Sequence, residues 1–81
     1  MTTAAQIVRN TINTAKAERR DGLRRNTHYL VHKGVMNIPS TGEDLAAWLR
    51  VIGFDVDQYG PRYATTRCGV EVTTGGNVYY I

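Results

Sequence analysis

The apolar residues of this chain change their spacing at Gly53, and that change restricts the folds open to it. Before it, Leu45, Trp48, Leu49 and Ile52 recur at i, i+3, i+4 and i+7, the period of an amphipathic helix. After it, Phe54 and Val56 alternate with Asp55 and Asp57. Ala64, Thr66, Cys68, Val70 and Val72 then hold one parity against Tyr63, Thr65, Arg67, Glu71 and Thr73 on the other, the period of a strand with one buried face. A segment patterned for one period cannot bury its apolar side in the other structure, so helices come first and a sheet follows.

The punctuation agrees. Ser40 with Glu43 reads as a capping box for the Trp48 helix, and Gly53 stands where a left-handed cap is wanted, with Phe54 folded back onto Leu49. Trp48 is expected to be that helix's largest contribution to the core. Gly60-Pro61 and Thr74-Gly75-Gly76-Asn77 are turn signals, and VYYI closes the chain as a strand, which predicts three antiparallel strands. Near the start, Thr3 with Gln6 predicts another helix N-terminus, and Ala5, Val8, Ile12 and Ala15 continue it at helical spacing. Residues 27–38 are read as a further helical stretch ending near Asn37, although Tyr29, Val31 and Val35 favour strand. The expected fold is α+β over a single domain, residues 1–81: a basic N-terminal helix and a second amphipathic helix on a three-stranded sheet. The alternative makes PRYATTRC a third helix opened by Gly60 and Pro61, giving a winged helix-turn-helix with Arg62, Thr65, Thr66 and Arg67 at a major groove.

At 81 residues the buried core is small, so a homodimer is one route to added stability. The lone Cys68 excludes an intrachain disulfide framework and suits a reducing compartment. No window has the length and apolarity of a signal peptide or a membrane span, so a cytoplasmic protein with no membrane partner is expected.

Charge is divided unevenly. Residues 1–33 carry seven Lys and Arg against two acids, net +5, while residues 34–81 carry three against five, net −2. Such a split marks a local field that can steer a polyanion. Continued through Gly22, the first helix places Arg9, Lys16, Arg20 and Arg24 within an arc of roughly 80°, with Arg19 and Arg25 beside them, a basic rail suited to phosphates. The like-charge i, i+4 spacing of Lys16, Arg20 and Arg24 costs an isolated helix a few tenths of a kcal/mol per pair, which an acidic partner would relieve. A second surface is rich in tyrosine: Tyr59, Tyr63, Tyr79 and Tyr80, with Arg62 and Arg67 interleaved. These residue types suit stacked bases and protein interfaces alike.

Signals for catalysis are weak. His28 and His32 share a face if helical, but a metal site needs further ligands that do not lie nearby in sequence. Cys68 falls on the apolar parity and reads as a core residue. Asp55 and Asp57 occupy positions that strand alternation makes polar anyway. Gly75-Gly76 lacks the lysine and hydroxyl of a phosphate loop and is a turn. No enzyme, metal or cofactor is expected. The expected function is nucleic-acid binding through the arginine-rich helix. The alternative is a protein-binding inhibitor or adaptor, of the short kind that phages carry against host defence or transcription. It would mask an acidic surface with the basic helix and the tyrosine face.

Overall fold

The computed structural model describes residues 2–81. Helix α1 spans Ala4–Arg20, strand β1 His28–Tyr29, helix α2 Gly42–Ile52, and strands β2 Val56–Tyr59, β3 Tyr63–Thr66, β4 Val70–Thr73 and β5 Asn77–Tyr80. The strands form one antiparallel sheet in the order β1-β5-β4-β3-β2, and both helices lie on one of its faces. The chain is therefore α+β, with five strands rather than three. The winged alternative fails because Tyr63–Thr66 is a strand inside the sheet.

Thr3 caps α1, its hydroxyl accepting from the Gln6 amide at 3.1 Å. Val8, Ile12 and Ala15 of the expected stripe are buried, Ala5 is partly buried, and Thr11 and Glu18 are buried beside them. The helix does not continue through Gly22. Gly22 takes φ +68°, and the Leu23 amide returns to the Glu18 carbonyl at 2.9 Å, the geometry of a C-terminal cap. Arg24 and Arg25 thus leave the helix, and the four-residue rail is broken.

Helix α2 starts one residue later than the predicted box. Thr41, not Ser40, is the cap, accepting from the Asp44 amide at 3.1 Å. Its end matches expectation: Gly53 has φ +120°, and the Phe54 amide donates to the Leu49 carbonyl at 3.0 Å. Leu45, Ala46, Leu49 and Ile52 are buried, whereas Trp48 is only half-buried at the edge of the core. Gly42 fixes how α2 meets the β2–β3 turn. A Cβ there would lie 1.7 Å from the Gly60 carbonyl oxygen, and the Gly42 amide donates to the Pro61 carbonyl at 2.9 Å.

The two extra strands have separate causes. A turn at 67–69 divides the long alternating segment, with Gly69 at φ +86° and the Thr66 hydroxyl bridging to both the amide and the carbonyl of Val70. Three residues between Thr66 and Val70 leave the parity unbroken, so the turn does not show in the periodicity. Residues 27–38 are not helical as read. They give the edge strand β1, paired with β5, and one 3₁₀ turn at Val31–Lys33, with Leu30 and Val35 buried.

The buried face of the sheet carries Ala64, Val70, Val72 and Val78. Its other face lies away from the helices. Gln58, Thr65, Glu71 and Tyr79 form one row across it, and one step along the strands Tyr63 pairs with Thr73 and Asn77 with Tyr29. No helix among the described residues is long and apolar enough to cross a membrane.

Candidate nucleic-acid interface

The C-terminal ends of both helices, the 67–69 turn and the end of β5 lie at the same end of the molecule. The Arg67 amide donates to the Asp55 carbonyl at 2.9 Å just past α2, and Arg19 at the end of α1 donates from Nε to the Ile81 carbonyl at 3.3 Å. The Arg19 side chain also crosses the turn, since a Cβ on Gly69 would fall 2.7 Å from its Nε. Lys16, Arg19 and Arg20 reach this end from α1, Arg24 and Arg25 from the segment after it, and Arg67 from the turn, and all six are exposed. Lys16 and Arg67 line an open groove of about 400 Å³ with Gly53, Phe54, Asp55 and Cys68. Among the described residues Arg20–Asp21 at 3.0 Å, which is exposed, is an ion pair, and His28 meets the Glu18 carboxylate at 2.7 Å. Among the described residues none of the other cations of this end lies within 4 Å of an Asp or Glu carboxylate.

Part of this charge has a structural use. Carbonyls at a helix C-terminus carry partial negative charge, and cations there are stabilising. Arg9 acts wholly in this way: its Nη1 donates to the Ile52 carbonyl at 3.3 Å and its Nη2 to Gln6 Oε1 at 3.2 Å, which closes the end of α2. It is half-buried, unlike the six exposed cations. Arg62 lies at the opposite end of the sheet, where its carbonyl accepts from the Thr74 amide at 2.9 Å, so it is not brought to Arg67.

The tyrosines do not share one face. Tyr63 and Tyr79 stand on the open face, but Tyr59 pairs with Ala64 and Tyr80 with Val70, which puts both on the helix side. The Tyr80 hydroxyl donates to the Leu23 carbonyl beside α1. Tyr29 joins Tyr63 and Tyr79 on the open face; reading 27–38 as helix concealed it. The Arg25 guanidinium lies 5.0 Å from the Tyr79 ring centroid, so the basic end meets the open face there. The Tyr79 hydroxyl donates to Glu71, and that carboxylate, then burial, holds the phenol above its ordinary pKa.

Glu18 is the residue that charge counting misplaced. It is 8% exposed, and its carboxylate accepts from His28 at 2.7 Å and from Asn26 Nδ2 at 2.8 Å. These bonds, the His28 one foremost, hold it below the usual glutamate range. They also tie the Arg24–Arg25 segment to α1. His28 and His32 therefore do not form a helical pair; the His32 ring instead packs against Tyr29 at 5.3 Å. No group of three or more His, Cys, Asp or Glu side chains among the described residues is placed to hold a metal. Cys68 is half-buried with its Sγ 3.0 Å from the Thr66 hydroxyl, and the register shift between Val56 and Gln58 takes Asp57 out of the alternation that began at Asp55.

The class these features define is a two-layer α+β domain with one sheet face uncovered and one cationic end. Comparison with protein-family models, with curated proteins and with solved structures finds no match to this chain.

Proposed function

We propose that the protein is a non-enzymatic binding module that docks on nucleic acid through its basic end. The observation that carries this reading is the meeting of Lys16, Arg19, Arg20, Arg24, Arg25 and Arg67 from three separate segments, with Asp21 and Asp55 as the exposed acids beside them. Guanidinium forks meet phosphate oxygens bidentately, and each contact releases counterions, so the affinity is salt-sensitive and largely indifferent to sequence. Arg62, counted with the cluster on sequence grounds, lies at the other end of the sheet, and Arg9 is engaged on the Ile52 carbonyl.

Fluorescence anisotropy of labelled DNA and RNA over about 50–300 mM salt tests the proposal. Submicromolar binding at physiological salt that falls steeply as salt rises is the expected result. Absence of binding up to millimolar protein would contradict it.

A second reading, an inhibitor or adaptor that masks an acidic protein surface, draws support from Tyr29, Val31 and Met36, exposed large side chains close together in sequence. An alanine scan separates the two. Phosphate binding spreads the loss evenly over the cations, whereas a protein interface concentrates it in a few residues, tyrosines among them.

A further inference from the structure

We infer that the nucleic acid taken by this protein is single-stranded, with its phosphates on the basic end and its bases laid on the open face of the sheet, beginning at Tyr79. This rests on the polyanion reading above and adds the form of the ligand.

Within the paired strands the open face bears no aliphatic side chain; the exposed Ile81 follows just past β5. Its two rows are Gln58, Thr65, Glu71 and Tyr79, then Tyr63, Thr73, Asn77 and Tyr29; all carry a polar group, and all but the buried Thr65 reach the surface. Such a surface gives a helix of another protein little to bury, while aromatic rings with amides and hydroxyls between them suit flat, polar bases. The join between face and cations is specific. Arg25 lies over the Tyr79 ring, a planar cation on an aromatic ring, and both groups stack bases. Tyr63 stands two strands and one row away from Tyr79, roughly 12 Å at the usual strand and residue spacings, so a strand of nucleic acid leaving Tyr79 meets a second ring.

Glu71 sets the direction. Its carboxylate lies beside Tyr79 in the middle of the face, held by the tyrosine hydroxyl. A phosphate laid there would meet like charge, and one at the rim meets Arg24 and Arg25. A base amino group, by contrast, finds in Glu71 an acceptor. A duplex keeps its bases stacked inside and can use only the cations.

The test compares labelled oligouridine and oligothymidine of about a dozen nucleotides with a duplex of equal charge, against the unmodified protein, Tyr79→Phe and Tyr79→Ala. Loss of one stacked base weakens binding about ten-fold. Tyr79→Ala is expected to lose that factor for the single strands only, with duplex affinity and salt slope unchanged, and Tyr79→Phe to keep it. Amide chemical-shift mapping on the unmodified protein makes the same distinction if the alanine variant does not fold: shifts spread over Glu71, Thr73 and Tyr79 support the inference. Equal affinity for duplex and single strand, or shifts confined to residues 16–25 and 67–69, would overturn it and leave the basic-end reading intact. No binding to either form would sink both.

Discussion

His28 Nε2 lies 2.7 Å from Glu18 Oε1, and this pair fastens the edge strand and the arginine-bearing segment before it to the last turns of α1. Asn26 completes the clamp at 2.8 Å. The pair follows from the fold and not from any local motif, since neither partner's role is visible without the other.

Because its bonds to His28 and Asn26 hold the Glu18 carboxyl below its usual range, its contribution to stability is present above the unfolded glutamate pKa of about 4.3 and disappears as pH falls through the lower folded value. Urea midpoints measured at intervals from about pH 7 to pH 3 should converge for the native protein and Glu18→Gln at the acid end and separate at neutral pH. Equal midpoints at pH 7 would show that the clamp contributes nothing. The expected loss for Glu18→Gln at neutral pH is about 1.5–3 kcal/mol, the range for a hydrogen bond to a charged group.

Arg9 and Lys16 are both α1 cations, with different expected outcomes. Arg9→Ala removes the side chain that closes α2 at Ile52 and should cost about 1 kcal/mol of stability with nucleic-acid affinity nearly unchanged. Lys16→Ala should do the reverse. Thermal melts and anisotropy on the same two samples check the exchange, and a drop in affinity for Arg9→Ala equal to that for Lys16→Ala would return Arg9 to the interface.

Gly42→Ala should destabilise by about 3 kcal/mol, since the new Cβ would fall 1.7 Å from the Gly60 carbonyl oxygen and backbone would have to move. Gly75→Ala is the control. Its Cβ meets nothing closer than the Thr73 hydroxyl at 3.7 Å, so a change within about 0.5 kcal/mol is expected in chemical denaturation.

Thr65 is 4% exposed and its hydroxyl has no hydrogen-bond partner. Removing a buried, unsatisfied hydroxyl while keeping the branched shape should stabilise, so Thr65→Val is expected to gain about 1 kcal/mol, a rise of roughly 4–8 °C in Tm for a domain of this size. A lower Tm would mean that the hydroxyl has a partner in solution.

What could be read from the sequence was what is local and periodic. Leu45, Leu49 and Ile52 repeat often enough to define α2, and Gly53 with Phe54 ends it by a rule of neighbouring residues. The cap shifted from Ser40 to Thr41 because adjacent hydroxyls satisfy the same rule. Tertiary features were hidden. The 67–69 turn keeps the strand parity, β1 exists only because β5 offers an edge, and Tyr59 and Tyr63 part to opposite faces across a turn whose length sets the register. The basic segment was visible as charge, but the capping role of Arg9, the separation of Arg62 and the burial of Glu18 depend on residues distant in sequence.

The most direct test of the basic end is the salt dependence of single-strand binding for the native protein and for the double variant Lys16→Ala/Arg67→Ala, which removes one cation from α1 and one from the β3–β4 turn. If both meet phosphates, the slope of log K against log salt should fall by about 1.4, near 0.7 for each contact on a single strand. An unchanged slope, with the variant folded, would contradict the convergence of these segments on a polyanion.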